Sequence, residues 1–127
     1  MAKQYEGQDV SFKAYDSMSS SQFLFVKATS TADTVDVCSA VTDVILGVLQ
    51  DEGTTGQGVG VRLFGHTKIV LGETVAAGAV VGTSTGGKAV AVTAGSDTTT
   101  YRAGICTKGG DVNEIGEMVL LPSGRCA

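Results

Sequence analysis

The sequence predicts an all-β fold: a small β-barrel or β-sandwich of short antiparallel strands with an extended N-terminal arm. Three observations support this prediction. The 127 residues include 18 glycines, no tryptophan and one proline, which suits short strands joined by tight turns. Valine and threonine are abundant, and their β-branched side chains favour a pleated surface. Short apolar segments also recur about every ten residues between turn residues, a spacing typical of sandwiches and barrels.

The individual strands follow from alternation of apolar and polar side chains. We predict eight or nine short strands, in the segments Val10–Tyr15, Gln22–Ala28, Val35–Cys38, Val44–Leu49, Val59–Leu63, Lys68–Leu71, Ala89–Val92, Tyr101–Cys106 and Met118–Leu121. Phe23–Val26 is apolar on both faces, so it is either buried on both sides or has one face free for a partner. Ser39–Leu49 also carries apolar residues at helical spacing, but its β-branched residues and Gly47 favour a strand.

Gly86-Gly87 predicts a hairpin turn before Ala89–Val92. A weak internal similarity accompanies these signals, with an offset of 57 residues. Leu46-Gly47-Val48 and the alternating strand after it match Ala103-Gly104-Ile105 and the strand after that. Either this is chance in a Gly/Val-rich chain, or the barrel contains two similar hairpins.

Charge limits the possible partners. Residues 1–52 carry eight acidic and three basic side chains, and residues 53–127 carry five acidic and six basic ones. Nucleic acids and anionic membranes both require a basic surface, which neither part provides. The first residues contain no apolar stretch of signal-peptide length, and no apolar run approaches the roughly 20 residues that span a bilayer. We therefore expect a soluble protein made in a cytoplasm.

The N-terminal segment differs from the rest of the chain. It holds five of the seven aromatic residues, namely Tyr5, Phe12, Tyr15, Phe23 and Phe25. We predict an extended segment over residues 1–34 and a compact β domain over 35–127. The five aromatic residues are candidate contacts with a partner protein, because an extended segment can add a strand to a neighbouring sheet edge. The alternative is that some of the rings belong to the core of the domain.

No constellation for catalysis or metal binding is present in the sequence. His66 is the only histidine, and Cys38, Cys106 and Cys126 show no paired spacing of the kind found in zinc sites. Gly53–Gly60 lacks the Lys-Ser/Thr that ends a phosphate-binding loop. We therefore predict a protein that is not an enzyme and that needs no metal or cofactor. A carrier domain modified at Lys88, or a small ligand-binding barrel, is a less favoured alternative.

The chain resembles the capsid cement, or head decoration, proteins of tailed bacteriophages. The resemblance covers about residues 44–121 and lies in the order and spacing of Ile45–Leu49, Val59–Gly65, Gly72–Val81, Gly86–Ala89, Arg102–Cys106 and Gly116–Leu121. The N-terminal 40 residues match less well.

The resemblance implies a structural virion protein without enzymatic activity or cofactor. Such proteins bind the outer surface of the capsid, often as homotrimers, and stabilise it by bridging subunits of the major capsid protein. The alternative within the same class is another virion component, such as a fibre, spike or head-completion protein.

Overall fold

The computed structural model describes residues 7–125, and it is all-β, as the sequence predicts. Within these residues there is no helix, and nine strands form one mostly antiparallel sheet. The strands are β1 Gly7–Ala14, β2 Phe25–Ala28, β3 Thr34–Val37, β4 Gly47–Leu49, β5 Gly58–Val70, β6 Val80–Thr83, β7 Ala89–Ala91, β8 Gly104–Lys108 and β9 Ile115–Leu120.

The first five strands close into a ring, which we call the first barrel. Each strand pairs with the next in the order β1, β3, β2, β4, β5, and the N-terminal half of β5 pairs again with β1. β1 and β3 are parallel, and the other pairs are antiparallel.

β5 continues beyond the first barrel and becomes a strand of a second ring. From Gly65 to Val70 it pairs with β9, and the order then runs through β8, β6 and β7. A parallel bridge between Leu71, just after β5, and Ala89 in β7 closes this second barrel. One strand of 13 residues therefore belongs to both barrels.

The two barrels repeat the same hydrogen-bond register, 57 residues apart. Val48 in β4 lies opposite Arg62 in β5, and Ile105 in β8 lies opposite Val119 in β9. The same offset relates other features of the two halves: the pairs Val10–Val61 and Thr67–Met118, and the bridges Met18–Gly53 and Val75–Gly110. The internal similarity in the sequence is thus confirmed as a structural repeat, but its two hairpins lie in separate barrels rather than in one.

Each barrel has its own apolar core. The first contains Ala14, Met18, Val26, Val35, Leu49, Val59 and Val61, with Phe12, Val37, Leu46 and Leu63 packed at its margin. The second contains Ile69, Leu71, Val75, Val81, Ala89, Ala103, Cys106, Met118 and Leu120, together with Phe25, Cys38, Ile45 and Val48 from the outer face of the first barrel. β2 and β4 therefore lie between the two cores. Phe25 and its neighbour Val26 are both fully buried, so the segment Phe23–Val26 is buried on both sides at its C-terminal end.

Three predictions of local structure need correction. The predicted segments include no strand over Val80–Thr83, which forms β6. Val59–Leu63 and Lys68–Val70 are not separate strands but parts of β5, and Leu71 lies just after it. Gly65, at a φ of 112°, lies where the partner of β5 changes from β1 to β9, and pairing on both sides keeps the chain extended there. Strand β4 is shorter than the predicted Val44–Leu49, because only Gly47–Leu49 pairs with β2 and β5.

The described part of the N-terminal segment lies within the sheet. β1 pairs with β5 from Gly7 to Lys13, and β2 pairs with β3 and β4. The proposed boundary at residue 34 stays a prediction, but residues 7–34 contribute two strands to the first barrel. Tyr5 lies outside the described residues.

Candidate protein-binding surface

Four apolar side chains form a line on the outer face of the second barrel, which we call the exposed row. They are Val80 in β6, Ile105 in β8, Val119 in β9 and Leu121 just after β9. Ile105 lies directly opposite both Val80 and Val119 in the sheet. Ile105 is 51% exposed, Val119 44% and Leu121 65%. All four side chains line one groove on this face, and a contiguous exposed apolar surface is a candidate protein-binding site.

A shallow groove of about 170 Å³ follows the exposed row, and Arg102, Gly104 and Ser123 complete its lining. The Arg102 guanidinium donates a hydrogen bond from Nη2 to the Ser123 carbonyl oxygen at 2.9 Å. Its Nε is buried and has no hydrogen-bond partner within residues 7–125. A buried donor without an acceptor costs free energy.

Polar groups border the exposed row on β5 and β9. His66 Nε2 lies 3.7 Å from Glu117 Oε1 and 3.5 Å from the Thr107 hydroxyl. Glu117 is only 7% exposed and lies opposite Lys68 on one side and Lys108 on the other. An apolar row with a polar border is the usual composition of a protein–protein contact.

The aromatic residues proposed from the sequence do not form one cluster. Tyr15 is 51% exposed just after β1, and Phe12 packs half-buried at the margin of the first core. Phe23 lies between the barrels, at a φ of 64°, with the Lys68 ammonium 5.8 Å from its ring centre. Phe12, Tyr15 and Phe23 therefore keep some exposed surface.

Phe25 differs from these three because it is fully buried and belongs to the second core. Its backbone N–H donates a hydrogen bond to the Gly87 carbonyl oxygen at 2.7 Å, across the contact between the barrels. Phe25 cannot touch a partner surface while this core is intact. Phe25 therefore fits the alternative interpretation of the sequence, in which some of the aromatic rings are part of the core.

The residues considered for chemistry have structural surroundings. Burial raises the pKa of the Cys38 thiol to about 12, and burial also raises that of Cys106. The Lys88 ammonium donates a hydrogen bond to Asn113 Oδ1 at 2.6 Å. Among residues 7–125, no three His, Cys, Asp or Glu side chains are grouped to hold a metal, and no helix there is long and apolar enough to cross a membrane.

Sequence reasoning missed the exposed row. Ile105 and Val119 alternate with buried residues in strands of ordinary composition, and an apolar residue on the outer face of a strand resembles one that faces a core. The sequence of β9 could have indicated it. Val119 lies between Met118 and Leu120, so both faces of this strand carry apolar side chains.

The comparisons with known proteins bear on the fold. No protein-family model and no curated protein matches the sequence. A solved structure matches: the base, at the N-terminal end, of the head fiber gp8.5 of bacteriophage phi29. The match has a TM-score of 0.69 at 13% sequence identity and covers 92% of this chain and 96% of that one. This chain therefore shares the fold of that head-fibre base over 92% of its length.

Proposed function

We propose that this protein is a structural component of a tailed-phage virion that binds the outer surface of the capsid and is not an enzyme. The single observation that carries the proposal is the fold shared with a phage head-fibre base over 92% of the chain. The resemblance of residues 44–121 to capsid cement proteins points to the same class of protein.

Within that role we propose cementing: the protein bridges neighbouring major capsid subunits, as a homotrimer. Repeated modest contacts held in a fixed geometry give avidity without any single strong site. The exposed aromatic side chains of the first barrel, foremost Tyr15, are the proposed contacts with the capsid. Tyrosine suits such a contact because its ring buries a large area while its hydroxyl keeps a polar partner.

Co-sedimentation with expanded empty capsids of the encoding phage tests the proposal. The protein is expected to pellet with the capsids at a fixed ratio to the major capsid protein. The variant Tyr15→Ser is expected to pellet less, whereas Val112→Ser, which removes another exposed apolar side chain from a loop of the second barrel, is the matched control. Failure of the unaltered protein to pellet at saturating concentration would contradict capsid binding.

The second candidate is the base of a head fibre, which the described role of the phi29 protein favours. A cement protein acts as the two-barrel body alone, whereas a fibre base carries a fibre beyond that body. The protein extracted from virions has an intact mass of 12.9 kDa if it acts alone as a cement protein. A larger mass, with a fibre projecting from decorated capsids in electron micrographs, supports the fibre base instead.

A further inference from the structure

The exposed row of the second barrel repeats a surface of the first barrel that is not exposed. In the first barrel Phe25 lies opposite Val48, and in the second Val80 lies opposite Ile105. These are corresponding positions, because β2–β4 and β6–β8 pair in the same way within the repeat. Phe25 and Val48 have no exposed surface, whereas Ile105 is 51% exposed.

The second barrel covers Phe25 and Val48, and it does so by inserting them into its own core. Two backbone hydrogen bonds hold this contact. The Phe25 N–H donates to the Gly87 carbonyl oxygen at 2.7 Å, and the Val70 N–H donates to the Phe23 carbonyl oxygen at 3.0 Å. The segment 23–25 of the first barrel therefore lies between β5 and the β6–β7 turn.

The corresponding segment of the second barrel, residues 78–80, has no such neighbour. Within residues 7–125, and apart from the pairing of β6 with β7 and β8, no backbone hydrogen bond is found for the N–H of Val80 or the carbonyl oxygen of Gly78. These two groups correspond to those of Phe25 and Phe23 that hold the internal contact. The second barrel thus has the same apolar residues and backbone groups that the first barrel uses to insert into its neighbour. Within one chain, however, no neighbouring barrel receives them.

The first barrel shows the complementary feature, an incompletely covered core. In the second barrel, the side chains of Thr67, Ile69 and Leu120 are fully buried under the first barrel. Their counterparts in the first barrel keep exposed surface: Val10 is 36% exposed, and Phe12 and Leu63 are partly buried. We call Val10, Phe12, Leu46 and Leu63 the open end of the first barrel.

We propose that the exposed row of one copy of this chain inserts into the open end of the first barrel of a second copy, repeating between molecules the contact that joins the two barrels within one. The chain would then associate head to tail. This contact rests on the proposed homotrimer, because it specifies which surfaces join the copies. It is tested on the protein alone, so its failure would leave capsid binding unaffected.

Charge favours a second copy in this orientation. Residues 1–64, which include the first barrel, carry eight acidic and four basic side chains, while residues 65–127 carry five of each. A head-to-tail contact brings the acidic part of one copy to the neutral part of the next. Two first barrels facing each other would instead repel.

The insertion requires one local exchange of hydrogen bonds. In the first barrel the Lys13 N–H donates directly to the Asp33 carbonyl oxygen at 2.9 Å, at the place where the second barrel admits residues 23–25. On association the Lys13 N–H would donate to Gly78 of the second copy, and the Asp33 carbonyl oxygen would accept from the second copy's Val80. One bond is given up and two are formed, so the contact leaves no new backbone group unsatisfied.

A contact between two different surfaces is heterologous, which gives a definitive test. Ile105→Lys places a charge in the exposed row, and Val10→Lys places one at the open end. Each variant alone is expected to lose association and sediment as a monomer in analytical ultracentrifugation. Each still has one intact surface, so an equal mixture of the two is expected to form a heterodimer with twice the monomer mass.

The matched control is Val112→Lys, a charge at an apolar side chain of similar exposure away from both surfaces, which is expected to associate like the unaltered protein. Protein concentrations up to about 1 mM are used, so that weak association is also detected. A monomeric unaltered protein throughout that range would overturn the proposal. So would a mixture of the two variants that remains monomeric, which would point to a contact between identical surfaces.

Amide hydrogen exchange of the unaltered protein tests the same contact without any substitution. The Val80 amide is expected to exchange more slowly as protein concentration rises, by about twofold at the loading where half of the chain is associated. The Val112 amide, outside the contact, is expected to keep its rate. An exchange rate at Val80 that does not change with concentration would overturn the proposal even if a variant fails to fold.

Discussion

At the scale of single residues, the structural repeat requires a positive φ at the same positions of both barrels, but different residue types occupy those positions. Phe23 and Asp33 have φ values of 64° and 59°, and the corresponding residues of the second barrel are Gly78 and Gly87, with φ of 91° and 78°. Glycine adopts this left-handed region at little cost, while other residues do not. The first barrel therefore accepts strain at Phe23, where the side chain gains burial between the barrels and a contact with Lys68.

The buried thiol of Cys38 predicts a stability that depends on alkaline pH. Burial, assisted by the nearby Asp43 carboxylate, raises the pKa of this thiol from 9.0 to about 12. Between these values the folded protein keeps the proton and the unfolded chain releases it. The free energy of unfolding should therefore fall as pH rises from 9 towards 12, by about 1.4 kcal/mol per pH unit for this group.

Urea unfolding of the unaltered protein and of Cys38→Ala at a series of pH values checks this prediction. The variant keeps Cys106 and every other titrating group, so the difference between the two slopes belongs to Cys38. Parallel slopes above pH 9 would contradict the assignment.

At the scale of elements, the β6–β7 hairpin joins the barrels through its turn. The Gly87 carbonyl oxygen accepts the hydrogen bond from Phe25, and a Cβ at Gly87 would lie 2.6 Å from Val37 Cγ1 and 3.1 Å from the Phe25 carbonyl oxygen. The turn thus approaches the first barrel more closely than any side chain at this position would allow. The hairpin predicted from Gly86-Gly87 is confirmed, but its contact with β2 was not foreseeable from the turn residues.

Gly87→Ala and Gly78→Ala form a matched pair that measures this contact. Both positions have positive φ, so each substitution should cost about 1 kcal/mol in backbone strain. Only Gly87 has neighbours within 4 Å, so its variant should lose a further 1–3 kcal/mol, as is typical of overpacking. Equal losses in denaturant unfolding would show that the close approach contributes nothing.

At the scale of the whole molecule, the two cores are joined by shared strands. In β2 Phe25 faces the second core and Val26 the first, and in β4 Val48 and Leu49 divide in the same way. Unfolding of either barrel would expose apolar surface of the other. We therefore expect the two barrels to unfold in one cooperative transition.

Scanning calorimetry of Leu49→Ala and Ile69→Ala checks this expectation. The first substitution removes a side chain from the first core and the second from the second core, and each should cost about 2–5 kcal/mol. Both variants should show one transition at a lower Tm, with equal calorimetric and van't Hoff enthalpies. Two separate transitions, with only one of them shifted by each variant, would show that the barrels unfold independently.

The sequence by itself determined the all-β class, the hairpin at Gly86-Gly87, the 57-residue offset and the two-sided apolar character of Phe23–Val26. These features are local, because side-chain alternation and turn chemistry act over a few residues. The tertiary structure alone decided that β5 runs through Gly65 into a second barrel, that Phe25 is buried, and that Ile105 is exposed although its counterpart Val48 is not. The reason is physical: alternation shows that a strand has an apolar face, but only the distant strands that pack on that face determine whether it is covered.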